Sequence, residues 1–365
     1  MRNRVTKRFL STAFILSMFG LSACGGGGGD VIDIVDVAMT WQTEVSVDTG
    51  GVVGDYTSIA VASSGKLHVS YRDLTNGNLK YATNSSGDWV TTIADTGGVV
   101  GMYTSIAIDS SGKIHISYLD STNSNLMYAT NASGAWVAET VDGTGSMGTY
   151  TSIAIDSTDK VHISHIDTAG TLRYASGTAG AWTLEDVDAT TSVDKWTSIA
   201  IDSTDKVHIS YYDTTNTALK YATGNAGAFT LATVEAGTVG EYTAIAVDSA
   251  DKIHISYHDG ANTSLKYATN ESGGWVAETV ENSANVGWHT SIAMDSTDTA
   301  HISYVDASNG NLLYATGNAG AWTFGTILAT TSSGNWNSIA IGSYNSVHIS
   351  YQGFASKDLM VISYE

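Results

Sequence analysis

Seven histidines recur at one position of a repeated sequence, and imidazoles are first candidates for metal binding or acid–base chemistry. They are His68, His115, His162, His208, His254, His301 and His348. Each lies inside a segment close to Lys-x-His-Ile-Ser-Tyr-x-Asp, which predicts a β-strand. Equivalent positions of different repeats lie far apart, and no repeat has a second His or a Cys at ligand spacing. The pattern predicts a structural role, in which each imidazole bonds a neighbouring strand or turn, and it predicts no metal.

Aspartates recur at both ends of these segments, where carboxylate oxygens could hold calcium. One set is Asp109, Asp156, Asp202, Asp248 and Asp295, and the other is Asp73, Asp120, Asp167, Asp213, Asp259 and Asp306. An aspartate that opens a turn caps backbone N–H groups, so we expect turn roles. Calcium is the alternative at Asp73-Leu-Thr-Asn76-Gly-Asn78, which offers oxygen ligands on a short loop but lacks the acidic density of a calcium loop.

The elements that carry these residues repeat every 46 or 47 residues. The tripeptide Ser-Ile-Ala marks each unit and begins at Ser58, Ser105, Ser152, Ser198, Ser291 and Ser338, with Ala-Ile-Ala at Ala244. Each unit contains four short segments rich in Ile, Val, Tyr, Thr and Trp, bounded by Gly, Asn, Asp and Ser, which is typical of strands. Seven units of four strands without helical periodicity predict an all-β fold, a seven-bladed β-propeller.

The ends of the repeat region predict how the ring closes. The first repeat-like piece, Trp41-Gln42-Thr43-Glu44-Val45, matches the fourth strand of a unit, whereas the last unit stops after its third strand, 359–363. We therefore expect the N-terminal strand to complete the last blade. The predicted organisation is a signal peptide over 1–24, a flexible tether over 25–40 and the propeller over 41–365.

The N-terminus has the pattern of a targeting segment. Four basic residues precede an apolar stretch, 9–20, that is too short to span a membrane. The following Leu21-Ser22-Ala23-Cys24 resembles a bacterial lipobox. The resemblance implies that Cys24, the single cysteine, is lipidated and becomes the mature N-terminus, and that Gly25 directs the protein to the outer membrane, on either face. An ordinary secretory signal with a chance cysteine is the alternative.

The charge of the chain excludes one class of partner. The mature chain has 12 basic residues against 36 acidic ones, a formal charge of −24. Such a surface repels nucleic-acid phosphates and anionic headgroups, so we expect no nucleic-acid binding. The lipid must then hold the protein at the membrane. We expect a monomer without a cofactor.

A turn before the fourth strand resembles a known family motif. The segments Asn84-Ser85-Ser86-Gly87-Asp88-Trp89 and Asn131-Ala-Ser-Gly134-Ala-Trp136 resemble the Asp-box of the bacterial neuraminidase repeat, although Asn replaces Asp and Gly lies closer to Trp. The resemblance implies a sialidase-like propeller lineage, which contains enzymes, lectins and inert scaffolds.

The resemblance to sialidases does not extend to their chemistry. Family sialidases hold the substrate carboxylate with three arginines, but Arg72 and Arg173 are the only arginines after the signal. No carboxylate pair stands out as a glycosidase would need. We therefore predict that the protein is not an enzyme, and a degenerate glycoside hydrolase is the least favoured reading.

Aromatic residues lie where the fourth strand of one blade connects to the first strand of the next, a connection that we call the handover. The handovers form one rim of the expected channel. They are Tyr56, Tyr103, Tyr150, Trp196, Tyr242, His289 and Trp336, with Trp288 beside His289. Aromatic faces stack on sugar rings, which predicts a lectin-like carbohydrate-binding function with these residues as ligand contacts. Two alternatives stay open, that the rings only pack neighbouring blades and that the propeller is a protein-interaction scaffold of the envelope. If there is one site, we expect it at Asp194-Lys195-Trp196 and Trp288-His289, where the repeat departs most from its consensus.

Overall fold

The computed structural model describes residues 40–143, 148–190, 192–193, 195–283, 285–328, 333–353 and 355–365, without the side chains of 333–335. The predictions for Cys24, for the tether up to residue 39 and for Asp194 lie outside these residues. Within the described ranges, no helix is long and apolar enough to cross a membrane.

The described chain consists of 28 strands and one short 3-10 helix at Ser343–Asn345. The innermost strands are β2 (Val53–Val61), β6 (Val100–Ile108), β10 (Thr149–Ile155), β14 (Thr197–Ile201), β18 (Val239–Val247), β22 (Val286–Met294) and β26 (Ser333–Ile341). The second strands are β3 (Leu67–Asp73), β7 (Ile114–Asp120), β11 (Val161–Ile166), β15 (Val207–Asp213), β19 (Ile253–Asp259), β23 (Ala300–Asp306) and β27 (Val347–Gly353). The third strands are β4 (Asn78–Thr83), β8 (Asn125–Thr130), β12 (Leu172–Thr178), β16 (Ala218–Gly224), β20 (Ser264–Thr269), β24 (Asn311–Asn318) and β28 (Leu359–Tyr364). The outer strands are β5 (Val90–Asp95), β9 (Val137–Asp142), β13 (Ala181–Asp188), β17 (Thr230–Ala236), β21 (Val276–Glu281), β25 (Ala321–Leu328) and β1 (Val45–Asp48).

These strands form seven antiparallel four-stranded sheets arranged as blades around a ring. Six blades use four consecutive strands, and the seventh has the order β1-β28-β27-β26. The strand β1 pairs with β28 through Val45 opposite Val361 and Ser46 opposite Met360. The seven-bladed propeller and its closure by the N-terminal strand are therefore confirmed.

The closure begins slightly before the predicted boundary of the propeller. Trp41 forms a bridge with Tyr364, and its indole packs on Tyr314 of the sixth blade with ring centroids 5.2 Å apart. Thr40, which the sequence assigns to the tether, donates its backbone N–H to the Glu365 carbonyl at 2.9 Å. The backbone pairing of the last blade thus includes Thr40, because it continues the outer strand.

The hydrophobic core lies between the blades. The second strands are buried on both faces, and in β3 every residue is buried. One core cluster combines Leu265 and Tyr267 of the fifth blade with Ile302 and Tyr304 of the sixth. A sheet covered on both faces needs apolar residues at successive positions, which explains the Ile, Val and Tyr of these strands.

The recurring histidines lie inside this core and bond neighbouring strands. Six of them place Nδ1 within 2.5–2.6 Å of a tyrosine hydroxyl on the third strand. The remaining one, His348, bonds the Ser363 hydroxyl at 2.8 Å. In His162 the other nitrogen, Nε2, lies 3.0 Å from Asp156, which opens the turn before the strand. A histidine that satisfies both nitrogens in this way ties two strands and a turn together.

Candidate functional site

The seven predicted aromatics share an unusual backbone conformation. All have φ between 51° and 57°, the left-handed region that side chains with a Cβ rarely adopt. Around Tyr56 the pairing of β2 with β3 shifts register between Asp55 and Ser58. Such a bulge re-aims a side chain, and here the Tyr56 ring lines the central pocket together with the other six aromatic side chains.

The structure brings the seven side chains together into one closed cluster, which we call the aromatic disc. Each ring contacts the rings from both neighbouring blades. The centroid distances are 4.7 Å for Tyr56–Tyr103, 4.2 Å for Tyr103–Tyr150, 5.9 Å for Tyr150–Trp196, 4.3 Å for Trp196–Tyr242, 4.5 Å for Tyr242–His289, 4.7 Å for His289–Trp336 and 4.0 Å for Trp336–Tyr56. The rings therefore pack against each other, and they form a single feature rather than seven separate ones.

A belt of hydrogen bonds between blades supports the disc. The residue after each aromatic is Thr in six blades and Asn337 in the seventh, and these residues line a pocket of about 160 Å³ together with the disc. Thr104 donates its hydroxyl to Ser70 of the preceding blade at 2.9 Å. In the next layer, Ile106 donates its backbone N–H to the hydroxyl of Ser58 at 3.3 Å. The Ser of Ser-Ile-Ala thus joins adjacent blades.

Burial favours the neutral form of several disc side chains. Burial among the rings raises the pKa of the Tyr56, Tyr150 and Tyr242 hydroxyls well above their usual range. The same desolvation lowers the pKa of His289 to about 4. The disc therefore offers hydroxyl, indole and neutral imidazole groups around apolar ring faces, which suits an uncharged ligand.

The residue before each disc aromatic differs in every blade and makes the face asymmetric. These residues are Asp55, Met102, Thr149, Lys195, Glu241, Trp288 and Asn335. Several face a side chain of the second strand. Arg72 lies 3.8 Å from Asp55, and Nδ1 of His258 lies 3.1 Å from Glu241. The chemistry of this outer layer is thus specific to each blade.

The two segments that depart most from the repeat consensus, around Trp196 and Trp288, both contact Tyr242. Its ring lies 4.3 Å from Trp196 and 5.2 Å from Trp288, measured between centroids. The amino group of Lys195 lies 5.4 Å from the centre of the Trp196 ring. Trp288 stands outside the disc and donates its Nε1–H to the side-chain oxygen of Asn285 at 2.9 Å.

Sequence reasoning missed two residues of this region. His258 is only 2% exposed, and its ring centroid lies 5.4 Å from that of Trp288. The ring centroid of Tyr212 lies 6.0 Å from that of Trp196. The Nε2 atom of His258 has no hydrogen-bond partner among the described residues. Both occupy a repeat position that varies between blades, and this variation was the available signal. We call Lys195, Trp196, Tyr212, Glu241, Tyr242, His258 and Trp288 the Tyr242 sector.

The candidate calcium ligand Asp73 and the arginine Arg173 bond residues near them in the fold. Both carboxylate oxygens of Asp73 accept bonds from Asn76, as expected for a turn cap. The two arginines lie in different blades, and Arg173 pairs with Asp142 at 2.7 Å and Asp186 at 2.9 Å. The described residues thus contain no cluster of three arginines.

The comparisons with known proteins concern the fold. No protein-family model and no curated protein matches the chain. Solved structures do match. An ulvan lyase of a polysaccharide lyase family, bound to a GlcA(1-4)Rha3S saccharide, has a TM-score of 0.61 at 12% identity and covers 87% of this chain and 95% of its own.

Two further structures extend the comparison. The polysaccharide lyase Uly1 has a TM-score of 0.56 at 10% identity, with 89% of this chain and 99% of its own covered. A variant of the Aleuria aurantia lectin in complex with Fucalpha1-6GlcNAc has a TM-score of 0.51 at 12% identity, with 75% and 96% covered. At such identities the likeness is one of fold alone.

These neighbours correct one prediction. The chain was expected not to be an enzyme, because it lacks the sialidase arginines and a carboxylate pair. The same fold carries polysaccharide lyases, so the absence of sialidase and glycosidase groups does not exclude catalysis. The error lay in testing hydrolytic chemistry alone, since a fold hosts unrelated reactions.

Proposed function

We propose that the protein is a carbohydrate-binding propeller whose site is the Tyr242 sector at the edge of the aromatic disc. The observation that carries the proposal is the contact of Trp196, Tyr242 and Trp288 beside the polar groups of Lys195 and Glu241. Aromatic faces bury the apolar C–H patches of a sugar, while charged and amide groups bind its hydroxyls. The fucose-binding lectins and the lyases among the structural neighbours support a glycan as ligand.

Trp288 is the principal contact in this proposal. Trp288 is half-buried like the disc rings, but it lies outside the disc and is held in place by its bond to Asn285. A side chain fixed in this way loses little conformational entropy when a ligand binds. Stacking on one ring contributes on the order of 1 kcal/mol, so a single sugar should bind weakly, near millimolar, and useful binding needs several contacts or multivalent display.

The cellular setting is a second part of the proposal. We infer from the lipobox-like segment that Cys24 carries a lipid that anchors the protein in the outer membrane, on either face. The sialidase-like lineage is likewise a proposal, supported by the Gly–Trp turns before the outer strands. In this setting a monomeric propeller on a short tether would present its disc face to glycans.

A glycan array with the fluorescently labelled protein tests the proposed function. We expect binding to a limited set of oligosaccharides, which titration calorimetry then quantifies. Each hit should also be incubated with the protein and analysed for chain cleavage, because the fold is shared with lyases. A clean array together with co-purifying envelope proteins would favour the protein-interaction scaffold instead.

A further inference from the structure

The fifth blade adds a third metal-ligating group to the recurring histidine–aspartate pair. Nε2 of His254 lies 3.1 Å from Oδ2 of Asp248 and 3.9 Å from Oε1 of Glu271. Among the described residues, this is the group in which three such side chains have ligand atoms within 4.8 Å of one another. His254 is fully buried and Asp248 nearly so, whereas Glu271 is 44% exposed at the entrance.

Two of the candidate ligand atoms, Nε2 of His254 and Oδ2 of Asp248, are hydrogen-bonded to each other at 3.1 Å, and a metal would take the place of this bond. Oδ1 of Asp248 accepts the backbone N–H groups of Ala250 and Lys252, each at 2.8 Å, so Oδ2 is the oxygen that faces His254. Nδ1 of His254 lies 2.5 Å from the hydroxyl of Tyr267, which can either donate or accept a proton. If Nδ1 carries the proton and donates it to Tyr267, the lone pair of Nε2 is free for a metal.

We propose that Asp248, His254 and Glu271 bind one divalent ion of the zinc class. One imidazole nitrogen and two carboxylate oxygens are ligands that Zn²⁺ accepts, with a fourth position left for water. Two carboxylates and a neutral imidazole balance the charge of the ion. Calcium and magnesium fit less well, because they prefer six or more oxygen ligands or an oxygen octahedron.

The other blades provide internal controls. In the second blade, His115 and Asp109 have the same separation of 3.1 Å, but Ala132 stands where the fifth blade has Glu271. The register is equivalent, since Asn131 and Asn270 each accept a backbone N–H from the second strand at 2.9 Å. In the first blade, Ser85 takes the position of Glu271 and Ala62 takes that of the aspartate.

The proposed metal site is independent of the proposed carbohydrate site. The turn between β18 and β19 carries Asp248, and the turn between β20 and β21 carries Glu271. In antiparallel blades these turns lie on the face opposite the handover loops and the aromatic disc. Loss of metal binding would therefore leave glycan binding unaffected, and the two proposals can fail separately.

Titration calorimetry with zinc chloride tests the proposal on full-length protein without a histidine tag, purified in detergent and stripped with a chelator. We expect one equivalent of zinc to bind. Glu271→Ala should weaken that binding at least about tenfold, the usual effect of losing a ligand or its support. The variant should keep its zinc-free melting temperature, because the Glu271 side chain is 44% exposed.

Two glutamate substitutions in other blades extend the test, one that should create a site and one that should not. Ala132→Glu should add a second equivalent, since it completes the same triad in the second blade. Ser85→Glu should add none, since Ala62 supplies no carboxylate. The proposal is overturned if the unsubstituted protein binds no zinc or several equivalents, if Glu271→Ala binds with unchanged affinity, or if Ala132→Glu gains no site.

Discussion

The carboxylate of Asp159 accepts two hydrogen bonds from Ser110 of the preceding blade, one from the backbone N–H at 2.8 Å and one from the hydroxyl at 2.7 Å. The same inter-blade clamp recurs around the ring in four further pairs, Asp205–Ser157, Asp251–Ser203, Asp298–Ser249 and Asn345–Ser296. The first blade interrupts the series, because Gly65 and Gly112 occupy the clamp position of the first and second blades. The interfaces of the first blade with the seventh and with the second blade therefore lack a carboxylate at this position.

Gly112→Asp should restore one clamp and stabilise the propeller. Gly112 has φ +78°, close to the +63° of Asp159, and a Cβ at this position meets no atom within 4 Å. The new carboxylate should bond Ser63, raising the melting temperature by about 2 °C for roughly one net hydrogen bond in a chain of this size. Gly112→Ala is the matched control, and it should be neutral or destabilising because it adds the Cβ at positive φ without the acceptor. Equal melting temperatures for the two variants would exclude the clamp as the cause.

The N-terminal segment should stabilise both the last blade itself and its interface with the first blade. Asp48 accepts a hydrogen bond from Tyr71 of the first blade at 2.6 Å, and Glu44 accepts one from Tyr351 of the last. Deletion of 25–48 should therefore lower the melting temperature far more than deletion of 25–38, because it removes β1 and leaves two buried hydroxyls without their acceptors. Thermal unfolding followed by circular dichroism compares the two truncations. Equal melting temperatures would contradict closure by this strand.

The sequence predicts the architecture because the repeat encodes it locally. The spacing of Ser-Ile-Ala gives the number of blades, and the unmatched Trp41 segment gives the closure, so neither depends on knowing distances across the ring. The partner of each histidine was harder to predict. His68 bonds Tyr81 only because the register sets His68 opposite Thr83, and a shift by one residue would place Tyr81 on the other face.

The site could be predicted only in part. The sequence predicts the handover aromatics as a set, but it does not predict that they touch. Their contact depends on the left-handed φ at each position, and a Tyr or Trp residue does not by itself indicate such a φ. The chain has to close before residues of distant repeats meet, so the contact of Tyr242 with both Trp196 and Trp288 follows from the ring and not from local pattern. His258 was missed because the repeat position that it occupies carries no shared residue type.

His289 should make the stability depend on pH. Its folded pKa is lowered to about 4 by desolvation, against about 6.5 in an unfolded chain. Between these two pKa values the unfolded chain carries a proton on His289 that the folded protein does not. The free energy of unfolding is therefore unaffected by His289 above about pH 6.5. Below that pH it falls as the pH falls, by up to about 1.4 kcal/mol per pH unit. His289→Tyr, which restores the residue of four other blades, should flatten the profile by about one proton.

Denaturant unfolding at about pH 7 and about pH 5 measures this difference. Part of the acid sensitivity should remain in the variant, because burial also lowers the pKa of His68, His162 and His208. A variant whose stability falls with pH as steeply as that of the original protein would show that His289 is not responsible.

Cys24→Ser should abolish lipid attachment. The variant should be recovered as soluble or unprocessed protein, because serine offers no sulfur to carry the proposed lipid. Fractionation with and without detergent, and labelling with a radioactive or clickable fatty acid, measure the effect. Membrane association that still requires detergent for release in the variant would contradict the lipoprotein proposal.

Trp288→Ala should weaken glycan binding without disturbing the fold. The side chain stands outside the aromatic disc, so its removal leaves the disc and its inter-blade belt in place. Loss of one stacking ring, worth on the order of 1 kcal/mol, should weaken binding to a glycan hit about fivefold at nearly unchanged melting temperature. Met102→Ala is the matched control, since Met102 occupies the same repeat position in the second blade, away from the Tyr242 sector.

Trp196→Ala distinguishes binding from packing inside the disc. Trp196 touches both the Tyr150 and the Tyr242 rings, at 5.9 and 4.3 Å between centroids, so its truncation tests how far the disc holds the blades together. If Trp196 serves the ligand, affinity for a multivalent glycan surface should fall while the melting temperature stays nearly constant. A large fall in melting temperature for Trp196→Ala, together with unaltered binding by Trp288→Ala, would assign the rings to blade packing. Because Trp288 lies outside the packed ring, the pair of variants separates the two roles, which neither substitution could do alone.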